Sequence, residues 1–274
     1  MKHSSRLVES ARNTAIQRAR ALEGDAKERR RSGLYIAWGR HLAMEALDAR
    51  AEIDTAFVSS ALDGTAEGRR IWSRLQATGR RLIRTRPRLL DRIVAGSADQ
   101  GIVLLIRRRA YALEDLAAPA VSLVVVAHGV QDPGNLGSIA RSTLALSADA
   151  LVTLEGCADP YGSRVVRAAM GAHFRLPILC ASSRDCLAAL RHAQLAIAAS
   201  DPEGTIPPDR ADLVRRVAIL VGSEGRGLPA PLLRESDQRI RIPMRPGISS
   251  LNVHAATAIL LAEAGRQRGY EDCS

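Results

Sequence analysis

The chain has 274 residues, of which 46% are hydrophobic and only 3% aromatic, and its formal net charge is +10. This length is typical of two domains, and the composition predicts an Ala, Val, Leu and Ile core of helices packed on a sheet. No apolar run approaches a membrane span, no secretory segment follows Met1, and the four cysteines lack zinc-like spacing, which favours reduced thiols in a cytoplasmic protein.

The positive charge is nearly all arginine, whose planar side chain suits phosphate, so nucleic acid is the first partner to consider. The alternative is a coding preference for arginine spread over a solvated surface. Residues 1–32 are predicted to form a basic arm, because a helical pattern leads into the block Lys27-Glu-Arg29-Arg30-Arg31. Such a block is either a solvated face or a phosphate contact, and we interpret Arg29, Arg30 and Arg31 as nucleic-acid contacts.

Residues 33–110 are predicted to form a compact α/β sandwich. Strand-like runs at 55–58, 81–84 and 102–106 alternate with helical patterns near 65–78 and 87–95. This stretch holds no paired carboxylates, Ser/His/Asp set or ligand cluster, which indicates a binding module rather than a catalytic one. Residues 111–120, which end with a proline and an alanine, are the expected linker.

Residues 121–274 alternate regularly between strand and helix patterns, which predicts a parallel sheet covered on both faces. In the last quarter, two buried strands run into loops marked by Gly or Pro, and a third loop opens an apolar helix. Three converging loops of this kind would present backbone N–H and C=O groups to one small ligand. The glycine order G-x-x-G-x-G is wrong for a dinucleotide fingerprint, and no P-loop motif occurs.

Three sequence blocks of this second half keep a characteristic order and spacing. They are Asp132-Pro-Gly-Asn135-Leu-Gly-Ser-Ile-Ala-Arg141, then Val221-Gly222-Ser-Glu224-Gly-Arg-Gly227-Leu, and finally Ile242-Pro-Met244 with Ser250-Leu-Asn252-Val. Together they resemble the motifs of the SpoU/TrmH family of RNA ribose 2′-O-methyltransferases. The N-terminal half is similar, more loosely, to the L30e-like substrate-binding domain of that family.

The resemblance implies an α/β SPOUT fold for residues 121–274, in which a deep trefoil knot forms the pocket for S-adenosylmethionine (AdoMet), and a homodimer joined through the knot region. It implies no metal. The family's AdoMet-binding positions correspond to Leu220, Gly222, Ile242, Met244 and Leu251. Its catalytic positions correspond to Asn135, Arg141, Glu224, Ser250 and Asn252.

Arg141 is the central catalytic residue that the resemblance implies. Because the pKa of arginine exceeds about 12, we expect its side chain to clamp a phosphate and polarise the 2′-oxygen rather than abstract the proton. In a dimer it would act on AdoMet held by the partner subunit. Arg167 is predicted as a further RNA contact, in a block where Ala169 replaces a hydroxyl that the family commonly has. On chemistry alone, His128 and His173 are candidates for the catalytic base, although lone histidines beside apolar runs are more often structural.

The implied function is methyl transfer from AdoMet to a ribose 2′-hydroxyl of structured RNA. We favour 23S rRNA, because members of the family that act on tRNA typically carry shorter extensions where this chain has a separate domain. A tRNA 2′-O-methyltransferase is the close alternative. A non-catalytic RNA-binding or ribosome-assembly factor that kept the fold is the alternative from another class, and the intact Asn135 and Arg141 argue against it.

Overall fold

A computed structural model describes residues 7–223, 225–248 and 250–269 of the chain. Its contacts divide the chain into two compact units. The first unit combines residues 1–109 with residues 161–174, and the second combines residues 110–160 with residues 175–274. The second unit therefore differs from the expected catalytic domain of 121–274, because residues 161–174 group with the first unit.

The first unit is a four-stranded mixed sheet with helices packed on it. Its strands are β1 (Leu34–Trp38), β2 (Ile53–Val58), β3 (Arg81–Arg84) and β4 (Ile102–Arg107), in the order β1-β4-β2-β3. Its helices are α1 (Thr14–Gly24), α2 (Ala26–Ser32), α3 (Arg40–Asp48), α4 (Ser60–Asp63), α5 (Ala66–Ala77), α6 (Pro87–Asp91) and, from the later segment, α8 (Ser163–Ala168). β4 runs antiparallel to β1 and β2, whereas β3 is parallel to β2.

The structure corrects the expected basic arm at residues 1–32, of which residues 1–6 lie outside the described part. Residues 14–32 form α1 and α2, and Ile16, Ala19 and Leu22 are buried in the hydrophobic core of the first unit. These apolar side chains recur every three residues, so α1 buries one face and exposes its arginines on the other. Asn13 caps the helix, since its side chain accepts a hydrogen bond from the Ala15 N–H at 2.9 Å.

The second unit is built on a six-stranded parallel sheet. Its strands are β5 (Leu123–Ala127), β6 (Ala150–Thr153), β7 (Ile178–Cys180), β8 (Ala196–Ser200), β9 (Val217–Val221) and β10 (Gln238–Ile240), in the order β10-β8-β9-β5-β6-β7. Its helices are α7 (Pro133–Ala145), α9 (Ser183–His192), α10 (Ala230–Arg234) and α11 (Val253–Gln267). The neighbouring strands pair in parallel, which confirms the predicted α/β class. The trefoil knot stays a prediction.

The expected linker at 111–120 packs on the second unit. Leu113–Ala117 form a short 3-10 helix, and Leu116 is buried in the core of this unit. The guanidinium of Arg216 donates hydrogen bonds to the carbonyl oxygens of Val121 and Leu116 at 2.9 and 3.2 Å. The segment is therefore part of the second unit's structure and not a free connection.

Parallel pairing brings the carboxyl ends of all six strands to one edge of the sheet, where ligands commonly bind in folds of this class. β5 and β9 are buried along their whole length because helices cover both faces, as the run of apolar residues predicts. The loops that follow β8, β9 and β10 leave this same edge. Among the described helices, none combines the length and the apolar character needed to span a membrane.

Candidate active site

A cavity of about 450 Å³ lies at the carboxyl edge of the second unit's sheet. Three of the predicted loop regions contribute to it, through Gly222, Ile242, Met244 and Leu251. Ser250, predicted to be catalytic, also belongs to its lining. The volume falls within the usual range of pockets for small ligands, about 300–1,000 Å³. We call this space the first cavity.

Two glycines of the loop after β9 differ in what surrounds them. A Cβ atom on Gly222 would lie 2.2 Å from the carbonyl carbon of Gly227 and 2.4 Å from its oxygen, so the two backbone segments touch there. A Cβ atom on Gly225 would meet no atom within 4 Å, and Gly225 belongs to the cavity lining. Gly222 therefore permits a close backbone approach, whereas Gly225 leaves room for a ligand.

Two carboxylates from the loop after β8 enter the first cavity. Asp201 is buried, and its Oδ2 accepts a hydrogen bond from Nε of Arg239 at 2.6 Å. Glu203 is exposed, and its N–H donates to Oδ1 of Asp201 at 3.0 Å. Asp201 is thus already neutralised by an arginine, while the Glu203 carboxylate remains to attract a cationic ligand.

These residues fit AdoMet, which has an apolar adenine, a polar amino-acid end and a cationic sulfur. The side chains of Ile242, Met244 and Leu251 provide an apolar wall, and Glu203 provides negative charge. The empty space beside Gly225 is a cradle that a side chain would fill. Exposed backbone in the glycine loop can meet the polar groups of the ligand.

A second cavity of about 770 Å³ adjoins the first. The two share Ser223, Gly225, Arg226, Gly227 and Val253 as a common wall. The lining of the second cavity includes the polar side chains of His128, Asp132 and Asn135, which follow β5. Nδ1 of His128 is buried and has no hydrogen-bond partner among the described residues.

Asn135 and Asn252, both predicted to be catalytic, are in direct contact. Nδ2 of Asn252 donates a hydrogen bond to Oδ1 of Asn135 at 3.1 Å. Asn252 also caps α11, because its Oδ1 accepts from the N–H groups of His254 and Ala255 at 3.0 and 3.4 Å. Oδ1 of Asp132 likewise accepts from the Asn135 N–H at 2.8 Å, at the start of α7. The capped N-termini of α7 and α11 therefore position Asn135 and Asn252 for this hydrogen bond.

Arg141 and Glu224 are also predicted to be catalytic. Arg141 is exposed on α7, and the described lining of neither cavity includes it. Glu224 lies outside the described residues, so its catalytic role stays a prediction.

Leu220 requires a correction. Its side chain is buried in the core of the second unit, and the cavity lining instead includes the next residue, Val221. Successive residues of a strand point to opposite faces, so the two neighbours cannot share this role.

Asp201, Glu203 and Arg239 also line the first cavity, but the sequence interpretation did not single them out. The rule that ligands bind where parallel strands end could have indicated Asp201, which directly follows β8.

The arginines of the first unit that are predicted to contact RNA differ in their exposure to solvent. Arg29 is buried, and its guanidinium donates hydrogen bonds to the carbonyl oxygens of Leu22 and Glu23, so the structure corrects its assignment as a phosphate contact. Arg30 and Arg31 are exposed, and Arg31 pairs with Glu28 at 2.8 Å. Arg167 is exposed on α8 and stacks on Trp38.

Three of the four cysteines lie in the described part of the chain. Cys157, Cys180 and Cys186 are free thiols, whereas Cys273 lies outside the described residues. Burial raises the pKa of Cys186 to about 12 and raises the pKa of Cys157 above its usual value. The described part of the chain contains no cluster of three or more His, Cys, Asp or Glu side chains able to hold a metal ion.

Comparison with known proteins identifies both parts of the chain. The SpoU rRNA methylase family matches residues 122–262, and a family described as RNA 2′-O ribose methyltransferase substrate binding matches residues 36–112. An uncharacterised tRNA/rRNA methyltransferase of Mycobacterium bovis is 37% identical over 65% of this chain, and the alignment spans 64% of that relative's length. The 23S rRNA (guanosine(2553)-2′-O)-methyltransferase of Bacillus subtilis is 28% identical over 93% of this chain and 97% of its own.

A solved structure extends the similarity to the whole fold. The AdoMet-bound rRNA methyltransferase of Sinorhizobium meliloti superposes with a TM-score of 0.84 and 29% identity, over 96% of this chain and 98% of that one. The family match alone covers more than half of the 274 residues. The resemblance that the three sequence blocks indicated is therefore confirmed, and the chain belongs to the SpoU rRNA methylase family of methyltransferases.

Proposed function

We propose that this chain transfers a methyl group from AdoMet to a ribose 2′-hydroxyl of structured RNA, with 23S rRNA as the favoured substrate. The observation that carries this proposal is the pair of adjoining cavities, one fitted to AdoMet, the other lined by Asn135 and its polar neighbours. The B. subtilis relative, which is named as a 23S rRNA 2′-O-methyltransferase, supports the choice of RNA. Other relatives are named tRNA/rRNA methyltransferases, so tRNA stays the alternative. A cytoplasmic location follows from an rRNA or tRNA substrate.

AdoMet supplies a methyl group activated by a positive sulfur. The chain must then align the acceptor oxygen with that methyl group and assist the loss of its proton. Asn135 would hydrogen-bond the acceptor ribose in the second cavity, and its hydrogen bond with Asn252 supports this role. The carboxylate of Glu203 stabilises a cation in the first cavity, which aids binding.

We further propose that Arg141 acts in the site of a partner subunit. Arg141 is exposed on α7, and α7 packs against α11. Ile259 of α11 is 40% exposed, Ala255 and Ala258 of the same helix are half-buried, and Ala145 of α7 is exposed, so these two helices leave apolar side chains uncovered. A second copy of the chain would cover this surface and receive Arg141 at its own active site.

Methyl transfer tests the proposed activity directly. Labelled AdoMet is incubated with total rRNA and total tRNA from a host that lacks the gene, using wild type and Arg141→Ala. Label in 23S rRNA as an alkali-resistant dinucleotide, with wild type only, is the expected result. Label in tRNA would move the substrate to the alternative. RNA binding without any transfer would favour the non-catalytic ribosome-assembly factor.

A mixed dimer tests the partner role of Arg141. Arg141→Ala subunits are co-purified with Gly225→Leu subunits, whose cavities we expect to be blocked. If Arg141 serves the partner's site, one complete site forms in each mixed dimer, and about half of the wild-type rate is expected. An inactive mixed dimer would contradict the proposal. Ile259→Glu should give monomers by sedimentation, whereas Val214→Glu, at a residue 60% exposed in a loop before β9, should not.

A further inference from the structure

The segment 161–174 is firmly held in the first unit. Val165 and Val166 of α8 are buried, and α8 packs against β1. At the start of the helix, Oγ of Ser163 donates a hydrogen bond to Oε1 of Glu23 in α1 at 2.7 Å. The opposite face of α8 carries two exposed arginines three positions apart, Arg164 and Arg167, which are neighbours on a helix surface.

The guanidinium of Arg167 lies over an indole ring. Its central carbon is 3.7 Å from the centroid of Trp38, the last residue of β1. Trp38 itself packs against the core of the first unit and is partly buried. The ring therefore covers one side of the guanidinium through a cation–π contact, while Arg167 remains exposed to solvent.

No carboxylate among the described residues pairs with Arg164 or Arg167. A second stack in the same unit behaves differently. Arg84 lies 4.3 Å above the ring of Trp72, but its Nη1 is 3.1 Å from Oδ2 of Asp63, which neutralises its charge. The charge of Arg167 is thus not offset by a described carboxylate, whereas the charge of Arg84 is offset by Asp63. One side of the Arg167 guanidinium also remains exposed.

We propose that the Arg167 guanidinium, backed by Trp38, is a stacking platform for one unpaired base of the RNA, with Arg164 contacting an adjacent phosphate. Unpaired bases bind well to guanidinium planes, and a plane already held against an indole loses little freedom when a base stacks on it. Met170 is 40% exposed, its N–H donates to the Arg167 carbonyl oxygen at 3.2 Å, and its side chain would add an apolar rim. This inference rests on RNA being the substrate, as proposed above.

The test separates base stacking from phosphate attraction. Binding to the full chain is measured with a single-stranded RNA of about twelve adenosines and with an abasic strand of the same length and phosphate number. Arg167→Lys keeps the positive charge but removes the plane, so it should weaken binding to the adenosine strand by about tenfold, the loss of one base stack, and leave binding to the abasic strand unchanged. Arg84→Lys, at the matched stack, should change neither.

Equal weakening of both strands by Arg167→Lys would make Arg167 a phosphate contact and overturn the platform, as would no change with either strand. Trp38→Leu, which removes the backing and keeps the arginine, should reproduce the selective loss, and thermal unfolding checks that both variants are folded. Arg164→Ala should weaken both strands alike. Methyl transfer is recorded on the same samples. Its absence from wild type, with selective base binding retained, would contradict the proposed enzyme and leave the platform in place.

Discussion

The two cavities of the second unit share a wall but offer a ligand different surfaces. Outside the shared wall, the first cavity combines the apolar side chains of Ile242, Met244 and Leu251 with the carboxylates of Asp201 and Glu203. The second has the imidazole of His128 and the amide of Asn135 instead. Between them stands the loop after β9, which includes Gly225 and Gly227. Substitutions in the shared loop should therefore affect both ligands, whereas substitutions in an outer wall should affect only one.

Gly222→Ala should have the largest effect. Its Cβ would overlap the Gly227 carbonyl group at 2.2 Å, and overpacking of this kind costs about 1–3 kcal/mol. We expect the shared loop to shift, the affinity for AdoMet and for RNA to fall by about 10- to 100-fold, and the melting temperature to drop. Calorimetric titration and thermal unfolding measure these changes. Gly225→Ala is the control, since its Cβ meets no neighbour, and wild-type AdoMet affinity in Gly222→Ala would refute the close-approach argument.

Gly225→Leu should block both cavities without destabilising the fold. The side chain would enter open space at the common wall, so no packed atom has to move. We expect the AdoMet dissociation constant to rise about tenfold or more while the melting temperature changes little. Equilibrium dialysis with labelled AdoMet measures the first and calorimetry the second. Unchanged AdoMet binding would mean that the ligand occupies another part of the first cavity.

Asn135→Ala should separate the two cavities. Asn135 belongs to the second cavity alone, so we expect AdoMet affinity to stay within about twofold of wild type while single-turnover methyl transfer slows by about tenfold. Rapid-quench measurement at saturating AdoMet gives the rate of the chemical step. Ile242→Ala is the converse variant and should weaken AdoMet binding first. Equal loss of AdoMet binding in both variants would show that the cavities do not act independently.

Substitutions of Asn252 should have the smallest effect. Asn252→Ala removes the cap of α11 and should cost about 1 kcal/mol of folding free energy, or about 2–4 °C in melting temperature. Asn252→Asp keeps the cap acceptor but loses the Nδ2 donor to Asn135, so stability should be retained and methyl transfer should fall a few-fold. If Asn252→Asp were as unstable as Asn252→Ala, the cap would not be the source of the stability.

Local sequence patterns predicted much of this fold for identifiable reasons. Alternating strand and helix patterns indicated the parallel sheet, and parallel strands place their carboxyl-terminal loops at one edge. For that reason Gly222, from the loop after β9, and Ile242 and Met244, from the loop after β10, could be expected in one cavity. The orientation of one side chain within β9 was harder to predict from the sequence. Leu220 and Val221 are both apolar, and only the packed sheet determines which of them lines the cavity.

Contacts between distant parts of the chain could not be predicted from local pattern. Arg29 stands in a basic block, yet the chain turn between α1 and α2 brings its guanidinium to the Leu22 carbonyl and buries it. Arg167 lies 129 residues after Trp38 in the chain, and nothing in either segment alone indicates their stack. Both contacts are therefore visible only in three dimensions.

The position of α8 also has a consequence for how the chain is made. Residues 161–174 complete the first unit, and the ring of Tyr161 packs against that of Tyr35 of β1 at a tilt of 54°, with 5.3 Å between ring centroids. A ribosome reaches residue 174 about 65 residues after finishing residue 109, which at about 5–20 residues per second is a delay of about 3–13 seconds. During that interval the surface of β1 that α8 will cover is open. Maturation of the first unit must therefore wait until β5 and β6 of the second have been synthesised.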